Sequence, residues 1–397
     1  MRILIFIGTI LLLLFFLFLY IMSCYYIGIK GKGVLSYKNK KIRSKLYWFI
    51  FWTLALSYII SVLLRSFLSV NNLFTSIFTA VGVICLAITF YLIIVFPIVD
   101  IMKFILRKIG YKGKVRNYLS RLYGNGLSVF LVVFIIIGFG LWNANHVMIT
   151  NYDLTINKKA GKVTSLNVVM IADVHMGIGI KEKGIDKMVN SINALNPDIV
   201  FFCGDIMDES STTKLKSYAS NAFKNIKSKY GVYGVTGNHE YIEKNLPETL
   251  YYLKNGNVKM LQDTAVKIDN SFYVVGRNDP AGIDREKEGI KPLSKILKDS
   301  NRELPIIVLN HRPTNLEEDE KEKVDIQLSG HTHKGQFFPN NFITKMVYED
   351  DYGYLKRNNF NLIVTSGYGT WGPPIRIGTK AEIVNVKIKF RHLKENN

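Results

Sequence analysis

The sequence predicts an N-terminal four-helix transmembrane region followed by a layered α/β domain. Two observations carry this expectation. Four long apolar runs follow one another within the first 142 residues, with charges only between them. From about residue 150, short apolar runs alternate with segments of helical periodicity. A third observation orients the chain: most of its basic excess sits in the connectors between the apolar runs.

The runs cover about 3–22, 47–64, 73–99 and 127–142. A helix needs about 20 apolar residues to cross the hydrocarbon core, or about 17 at the short end, so each run is long enough, the last being the shortest. Arg2 is the only positive residue before the first run and no small-x-small site follows it, so that run reads as a retained span rather than a cleaved signal. The formal charge is +20, but residues 1–150 carry 16 of the 51 Lys and Arg against a single acid, Asp100. Those cations concentrate in the connectors 31–45 and 103–121, whereas the connector SFLSVNN is uncharged. Excess Lys and Arg mark the cytoplasmic side. The basic connectors are therefore expected inside and both chain ends outside, which makes this a multi-pass protein of the cell membrane with its C-terminal domain on the extracytoplasmic side. The charge then reports topology, and no nucleic-acid partner is expected. Cys24, Cys85 and Cys203 are too scattered for a disulfide framework or a thiolate metal site.

The expected organisation is a transmembrane region at 1–145, a linker and first strand at 146–164, and one α/β domain at 165–397. Predicted strands are 166–172, 199–203, 231–236, 271–276, 306–309, 326–328, 362–365 and 383–390. The continuous apolar runs suit strands covered on both faces, while IVNVKIKF (383–390) alternates and suits a half-exposed one. Apolar residues at helical spacing predict helices over 181–195 and 212–229. The stretch 337–360, rich in Asn, Asp and Tyr, reads as an excursion. Strands alternating with helices argue for a layered α/β domain.

In open α/β sheets, functional groups gather beyond the carboxyl ends of the strands. Here five of seven histidines fall there; only His146 and His392 do not. The strand ends read Asp173-Val174-His175, Gly204-Asp205, Gly237-Asn238-His239-Glu240, Asn310-His311 and Gly330-His331-Thr332-His333. Imidazole, carboxylate and amide oxygen without thiolate favour divalent Mn, Fe, Zn, Co or Ni. There are too many such groups for one ion, and two ions about 3.5–4 Å apart clamp both oxygens of an in-line displacement at phosphorus. The three glycines let the chain turn tightly beside the ions.

In order and spacing, D-x-H, G-D-x-x-D, G-N-H-E, a lone His and G-H-T-H resemble the calcineurin-like metallophosphoesterase superfamily. GHTHKGQ, Pro339, Tyr352–Leu355 and TSGYGTWGPPIRIG (365–378) extend the resemblance to its bacterial membrane-associated branch. The chain departs from that pattern at Ala381-Glu382-Ile383, where the family usually has Pro-Glu-Ile. The resemblance implies a layered β-sandwich flanked by helices. It also implies one ion on Asp173, His175 and His333, another on Asn238, His311 and His331, and Asp205 bridging them. A hydroxide between the ions would attack phosphorus, with His239 as general acid or as an oriented donor. Asp208 and Glu240 would orient ligand imidazoles or stand on the surface. Arg376 would meet substrate phosphate or close a salt bridge in the tail, and Tyr368 and Trp371 would line the pocket rim or simply pack.

Two functional classes follow. The first is a membrane-anchored, two-metal phosphohydrolase that cleaves a phosphoester or pyrophosphate bond, with anchoring suggesting a lipid-linked or envelope substrate. The alternative is a non-catalytic metal-binding membrane sensor or interaction protein that keeps the fold. Transport is disfavoured, because intramembrane charges mark such pathways and only Arg65 and Asp100 stand at span ends.

Overall fold

The computed structural model describes residues 2–38, 44–65, 67, 73–110, 126–177, 179–208, 210–242, 246–282 and 290–391. Residues 39–43 and 111–125 of the two basic connectors, most of the uncharged connector and His392 lie outside these. The chain folds as two compact units, 1–139 and 140–397.

The first unit contains α1 (Arg2–Lys38), α2 (Ser44–Ala55), α3 (Ser57–Arg65), α4 (Leu73–Lys108) and most of α5 (Leu127–Ala144). Among the described residues, three helices are long and apolar enough to cross a membrane: Ile7–Leu35 within α1, α4 and α5. The run expected to form one straight second span is instead the pair α2 and α3, bent by 59°, which makes four crossings only if the pair counts as one. The Ser57 hydroxyl donates to the Leu54 carbonyl at 2.6 Å, at the break; a side chain that competes for a helical carbonyl bends the helix. Gly82 of α4 lets α3 come close, since a Cβ there would lie 2.5 Å from the Tyr58 Cα. Asp100 accepts from Lys30 and from Tyr26, both at 2.6 Å. The sole acid of this region is thereby paired, as suits an anchor.

The second unit is a sandwich of two six-stranded sheets. The first comprises β1 (Val147–Ile156), β2 (Ser165–Ile171), β3 (Ile199–Cys203), β4 (Val232–Val235), β5 (Val258–Met260) and the distant β12 (Ala381–Phe390), in the order β1-β12-β2-β3-β4-β5. The second comprises β6 (Thr264–Ile268), β7 (Phe272–Gly276), β8 (Ile306–Leu309), β9 (Ile326–Ser329), β10 (Gly353–Arg357) and β11 (Phe360–Val364), in the order β10-β11-β9-β8-β7-β6. Strands β2 to β5 run parallel, as do β7, β8, β9 and β11.

Side chains alternate across a strand, and here both faces are covered. Val168, Met170, Phe201 and Val235 point between the sheets, toward Val274, Ile307, Leu309, Leu328 and Ile363. Their neighbours Val169, Ile171, Val200 and Phe202 point outward under α6 (Glu182–Ala194), α7 (Thr213–Phe223) and α9 (Leu246–Asn255), where Ile185, Met188, Phe223 and Leu253 meet them. The short α8 (Asn238–Ile242) precedes α9. On the far side, Val275, Ile306, Val308 and Leu362 are capped by Leu293 of α10 (Leu293–Ile296) and Leu316 of α11 (Leu316–Lys321). This double cover is why the runs are continuously apolar.

Three expectations change. β12 is buried from Ala381 to Val386 and alternates only from Lys387 onward, because it lies between β1 and β2 instead of at an edge. The second predicted helix ends at Phe223 rather than 229. The excursion at 337–360 folds into α12 (Asn341–Val347) and β10.

Both carboxylate oxygens of Asp319, on α11, are buried with no hydrogen-bond partner among the described residues. Burial pushes its pKa up to about 8, against the pull of Arg277 and with a further push from Glu318. Between the unfolded value of about 4 and 8, the folded chain holds a proton that the unfolded chain has released, so stability falls as pH rises through that window. Asp319→Asn should therefore raise the melting temperature of the full chain more at pH 9 than at pH 5. Equal shifts at the two pH values would refute this account.

Candidate metal centre

The carboxyl ends of β2, β3, β4, β8 and β9 deliver their following residues to one place. Backbone bonds join the exit loops: Asp173 N–H donates to Gly204, His175 to Asp205, and Gly330 to His311, at 3.0, 3.1 and 2.9 Å. The sheets also meet through side chains. His311 Nδ1, donating to the Cys203 carbonyl at 2.8 Å, ties the second sheet to the first. The His331 N–H donates to both oxygens of Asp173 at 3.0 Å.

Asp173, His175, Asp205, His331 and His333 all adopt positive φ, between 46° and 71°. Each such non-glycine turn costs on the order of 1–3 kcal/mol and persists only where its surroundings over-determine it. Glu240, wholly buried, supplies much of that determination. Its carboxylate accepts four backbone N–H groups: Asp205 at 3.0 Å, Ile206 at 2.7 Å, Met207 at 3.0 Å and Gly237 at 2.7 Å. The expectation that Glu240 orients a ligand imidazole is therefore corrected; it holds the backbone on which Asp205 and Asn238 ride. Close approach explains the glycines: a Cβ at Gly330 would lie 2.3 Å from Asp173 Oδ2, and one at Gly204 2.5 Å from His311 Nδ1.

Among the described residues three donor groups result; His175, Asp208 and His239 form one, and the expected ligands form the other two. In the first of those two, Asp173, His175 and His333 converge, with His175 Nε2 3.1 Å from His333 Nε2 and His333 Nε2 3.4 Å from Asp173 Oδ1. In the other, Asp205, His311 and His331 converge, with His331 Nδ1 3.2 Å from His311 Nε2. A single oxygen lies between the groups: Asp205 Oδ2 is 3.1 Å from His311 Nε2 and 3.8 Å from His175 Nε2. Asn238 lines the same cavity, and its Oδ1 is buried with no hydrogen-bond partner among the described residues. Nitrogens set against nitrogens, carboxylate oxygens and an orphaned amide oxygen fit divalent cations, which would satisfy them together.

The electrostatics differ among the donors. Against burial, the charge and hydrogen bond of Asp205, then Asp173, raise His311 to about 10, so that ring must give up a proton to hold a cation. Burial, then His175 and Arg376, hold His333 well below the usual imidazole range. Burial, then His311 and Arg312, lower His331 to about 3. Both rings thus stay neutral and keep lone pairs for a ligand. Burial would raise the Asp205 carboxyl, but the charge and hydrogen bond of His311, then His175 and His239, outweigh it and keep the group ionised.

The surrounding residues sort clearly. His239 lines a cavity of about 520 Å³ together with His175, Asp205, Asn238, His331 and His333. Its ring stands edge-on to His175, with centroids 4.6 Å apart, and the His239 backbone N–H donates to Asp205 Oδ1 at 2.8 Å. Asp208 Oδ2 lies 3.8 Å from His175 Nδ1, beyond direct hydrogen-bond reach. Trp371 lines the cavity, whereas Tyr368 is buried beneath α6 and donates its hydroxyl to Gly184 at 2.8 Å.

Arg376 does not reach the cavity as a phosphate contact. It is fully buried, and its guanidinium donates to the carbonyls of Ser366, Gly367, Gly369 and Lys380 at 2.6–3.2 Å. One of its nitrogens also lies 3.4 Å from His333 Nδ1. The structure thus converts an expected substrate contact into a clamp on the loop behind a candidate ligand. Gln336 was not singled out from the sequence, though its place in GHTHKGQ offered a signal. Its side chain binds the backbone of Trp371 and Pro373 at 2.9–3.1 Å and joins the histidine turn to the glycine-rich loop.

Comparison with known proteins agrees with this arrangement. The profile of the calcineurin-like phosphoesterase family matches residues 166–335. An uncharacterized metallophosphoesterase of Campylobacter jejuni is 32% identical over 73% of this chain and 76% of its own length. An uncharacterized metallophosphoesterase of Helicobacter pylori is 31% identical over 56% of this chain and 60% of its own. A transmembrane protein with a metallophosphoesterase domain from Danio rerio is 28% identical over 63% of this chain and 60% of its own. The match thus spans less than two thirds of the latter two relatives.

Replacing one Glu240 oxygen with an NH₂ that faces backbone donors should cost about 1–3 kcal/mol. Glu240→Gln is accordingly expected to melt measurably below the parent, whereas Asp208→Asn stays close to it. A Glu240→Gln protein as stable as the parent would show that the four contacts contribute little.

Proposed function

This chain belongs to the calcineurin-like phosphoesterase family and is a metal-dependent phosphoester hydrolase, and from that premise we propose that it is a membrane-anchored phosphohydrolase working with two divalent ions. Asp173, His175 and His333 would hold one ion, and Asn238, His311 and His331 the other, with Asp205 shared. The single observation carrying this reading is the Asp205 oxygen within 3.8 Å of a histidine from each donor group. Such ions, when bound, lower the pKa of water towards neutrality and neutralise the charge on phosphate oxygens.

The chain's own residues do the rest. Hydrolysis forms one bond from phosphorus to a water oxygen and breaks the bond to the leaving oxygen, which must gain a proton. His239, at the cavity wall beside Asp205, is suited to give it. The Asp173 carboxylate, fixed by the His331 N–H, and the Asp205 carboxylate, fixed by the His239 N–H, hold their oxygens at set positions before substrate arrives. Arg376 braces the loop behind His333.

The family is metal-dependent, and the apolar helices associate the chain with a membrane. The finer topology, multi-pass with the catalytic unit outside the cytoplasm, follows from the cationic connectors and is supported by the uncharged connector SFLSVNN between the second and third runs. Anchoring in turn favours a lipid-linked or envelope phosphate ester over a freely diffusing one.

Full-length protein loaded with manganese should contain two ions per chain by elemental analysis, and Asp205→Asn should lose at least one of them. His239→Ala should keep both ions yet hydrolyse an alkyl phosphate ester, whose strongly basic leaving oxygen needs the proton, about 10²–10⁴-fold more slowly. One ion in the parent, or a His239→Ala rate equal to it, would overturn the corresponding part of this reading. Protease that trims the catalytic unit only after cells are permeabilised would reverse the topology.

A further inference from the structure

We propose that α12 is a lipid-docking surface, on which the acyl chains of a phosphate-bearing bilayer lipid rest while its head-group enters the adjoining cavity. This deepens the phosphohydrolase reading and rests on it. In seven residues, α12 exposes Phe342 at 56%, Ile343 at 59%, Met346 at 81% and Val347 at 66%. The spacing i, i+1, i+4, i+5 puts them on one side of the helix. Contiguous exposed apolar surface marks an interaction site, and a short apolar helix face carrying a cation suits the head-group level of a bilayer. Lys345 provides that cation and is itself exposed.

Two features connect this face to the reaction. Ile343 and Val347 also line the cavity that holds His331 and His333, with Trp371 at its wall. Ile343 and Val347 therefore belong both to the cavity wall and to the exposed face. The helix is also held in place. Thr344 donates to Asp351 at 2.5 Å, Thr332 of the histidine turn donates to the Asp351 backbone at 2.6 Å, and Phe338 packs edge-on against Phe342 with ring centroids 5.6 Å apart.

The occupant is identified by what lies beside α12. The last turn of α5, from Gly140, belongs to the same compact unit. The Gly140 carbonyl accepts from Arg376 N–H at 3.0 Å, and Asn143 donates to the Arg376 and Thr379 carbonyls at 2.9 and 2.7 Å. The Phe338 N–H in turn donates to Ile377 at 2.8 Å. A short hydrogen-bonded path thus leads from the end of a membrane-length apolar helix to Phe338, three residues before α12. That continuity selects bilayer lipid over a protein partner or a second copy.

Two measurements on the full chain test this. In nanodiscs, the emission lost on Trp371→Phe isolates the Trp371 signal. It should be quenched by lipids brominated near the head-group and shielded from acrylamide; free quenching by acrylamide with no effect of brominated lipid would overturn the proposal. In detergent with manganese, long-chain phosphatidic acid should compete with bis(p-nitrophenyl) phosphate hydrolysis at least about tenfold better than its dibutyryl analogue. In the double variant Phe342→Ser/Met346→Ser that ratio, which a general loss of activity leaves unmoved, should fall toward one. A ratio near one in the parent, or unchanged in the variant, would refute lipid docking, as would a variant that only converts dimers to monomers. If the parent cleaves no aryl ester at all, the hydrolase reading fails, while the quenching result still judges the surface.

Discussion

The centre depends on a backbone constraint more than on any single side chain. Five potential ligands sit in left-handed turns immediately after strands, a conformation that an isolated peptide avoids. They are kept there because parallel strands from two sheets end side by side, and because buried carboxylates and carbonyls take up the N–H groups those turns expose. Glu240 secures the Asp205 turn, Asp173 receives the His331 N–H, and Cys203 receives His311 Nδ1. The double-covered core, α6 to α9 on one face and α10 and α11 on the other, serves chiefly to hold these strand ends in register. Strain localised to the ligands is the mark of a pre-organised site.

Much of this was legible in the residues. A histidine or aspartate directly after an apolar run is a local pattern, and each such pattern predicted where its strand would stop. Asp173, His175 and His333 converge, as do Asp205, His311 and His331, and Asn238 lines the cavity beside them. Those patterns place residues but say nothing of long-range backbone contacts. From the sequence, Glu240 reads equally as an imidazole's partner or a surface acid, and Arg376 as a phosphate contact or a tail salt bridge. Each in fact spends its charge on peptide groups, and peptide groups look the same at every position. Tyr368 stays open between pocket rim and plain packing in the sequence, because an aromatic ring in a glycine-rich loop can face either side of it, and here it faces the core.

The missed elements have similar causes. β5 and β6 are short and interrupted by lysine, so neither reads as an apolar run, and α12 has too few residues to establish a period. The bend between α2 and α3 comes from one serine hydroxyl that competes for a carbonyl, inside a run whose composition is uniformly apolar. Length and hydropathy find a span; they do not find a break within it.

The position of β12 has a consequence for biosynthesis. Among the described residues, β1, formed early, has only β12 as its hydrogen-bonded neighbour, and β12 lies more than two hundred residues later in the chain. While the ribosome is still adding the intervening segments, the edges of both β1 and β2 stay open, and the clamp at Arg376 has yet to be made. The apolar helices can therefore be inserted well before the sandwich closes. Maturation of the catalytic unit is then a late step, one that a nascent chain stalled before residue 381 cannot complete.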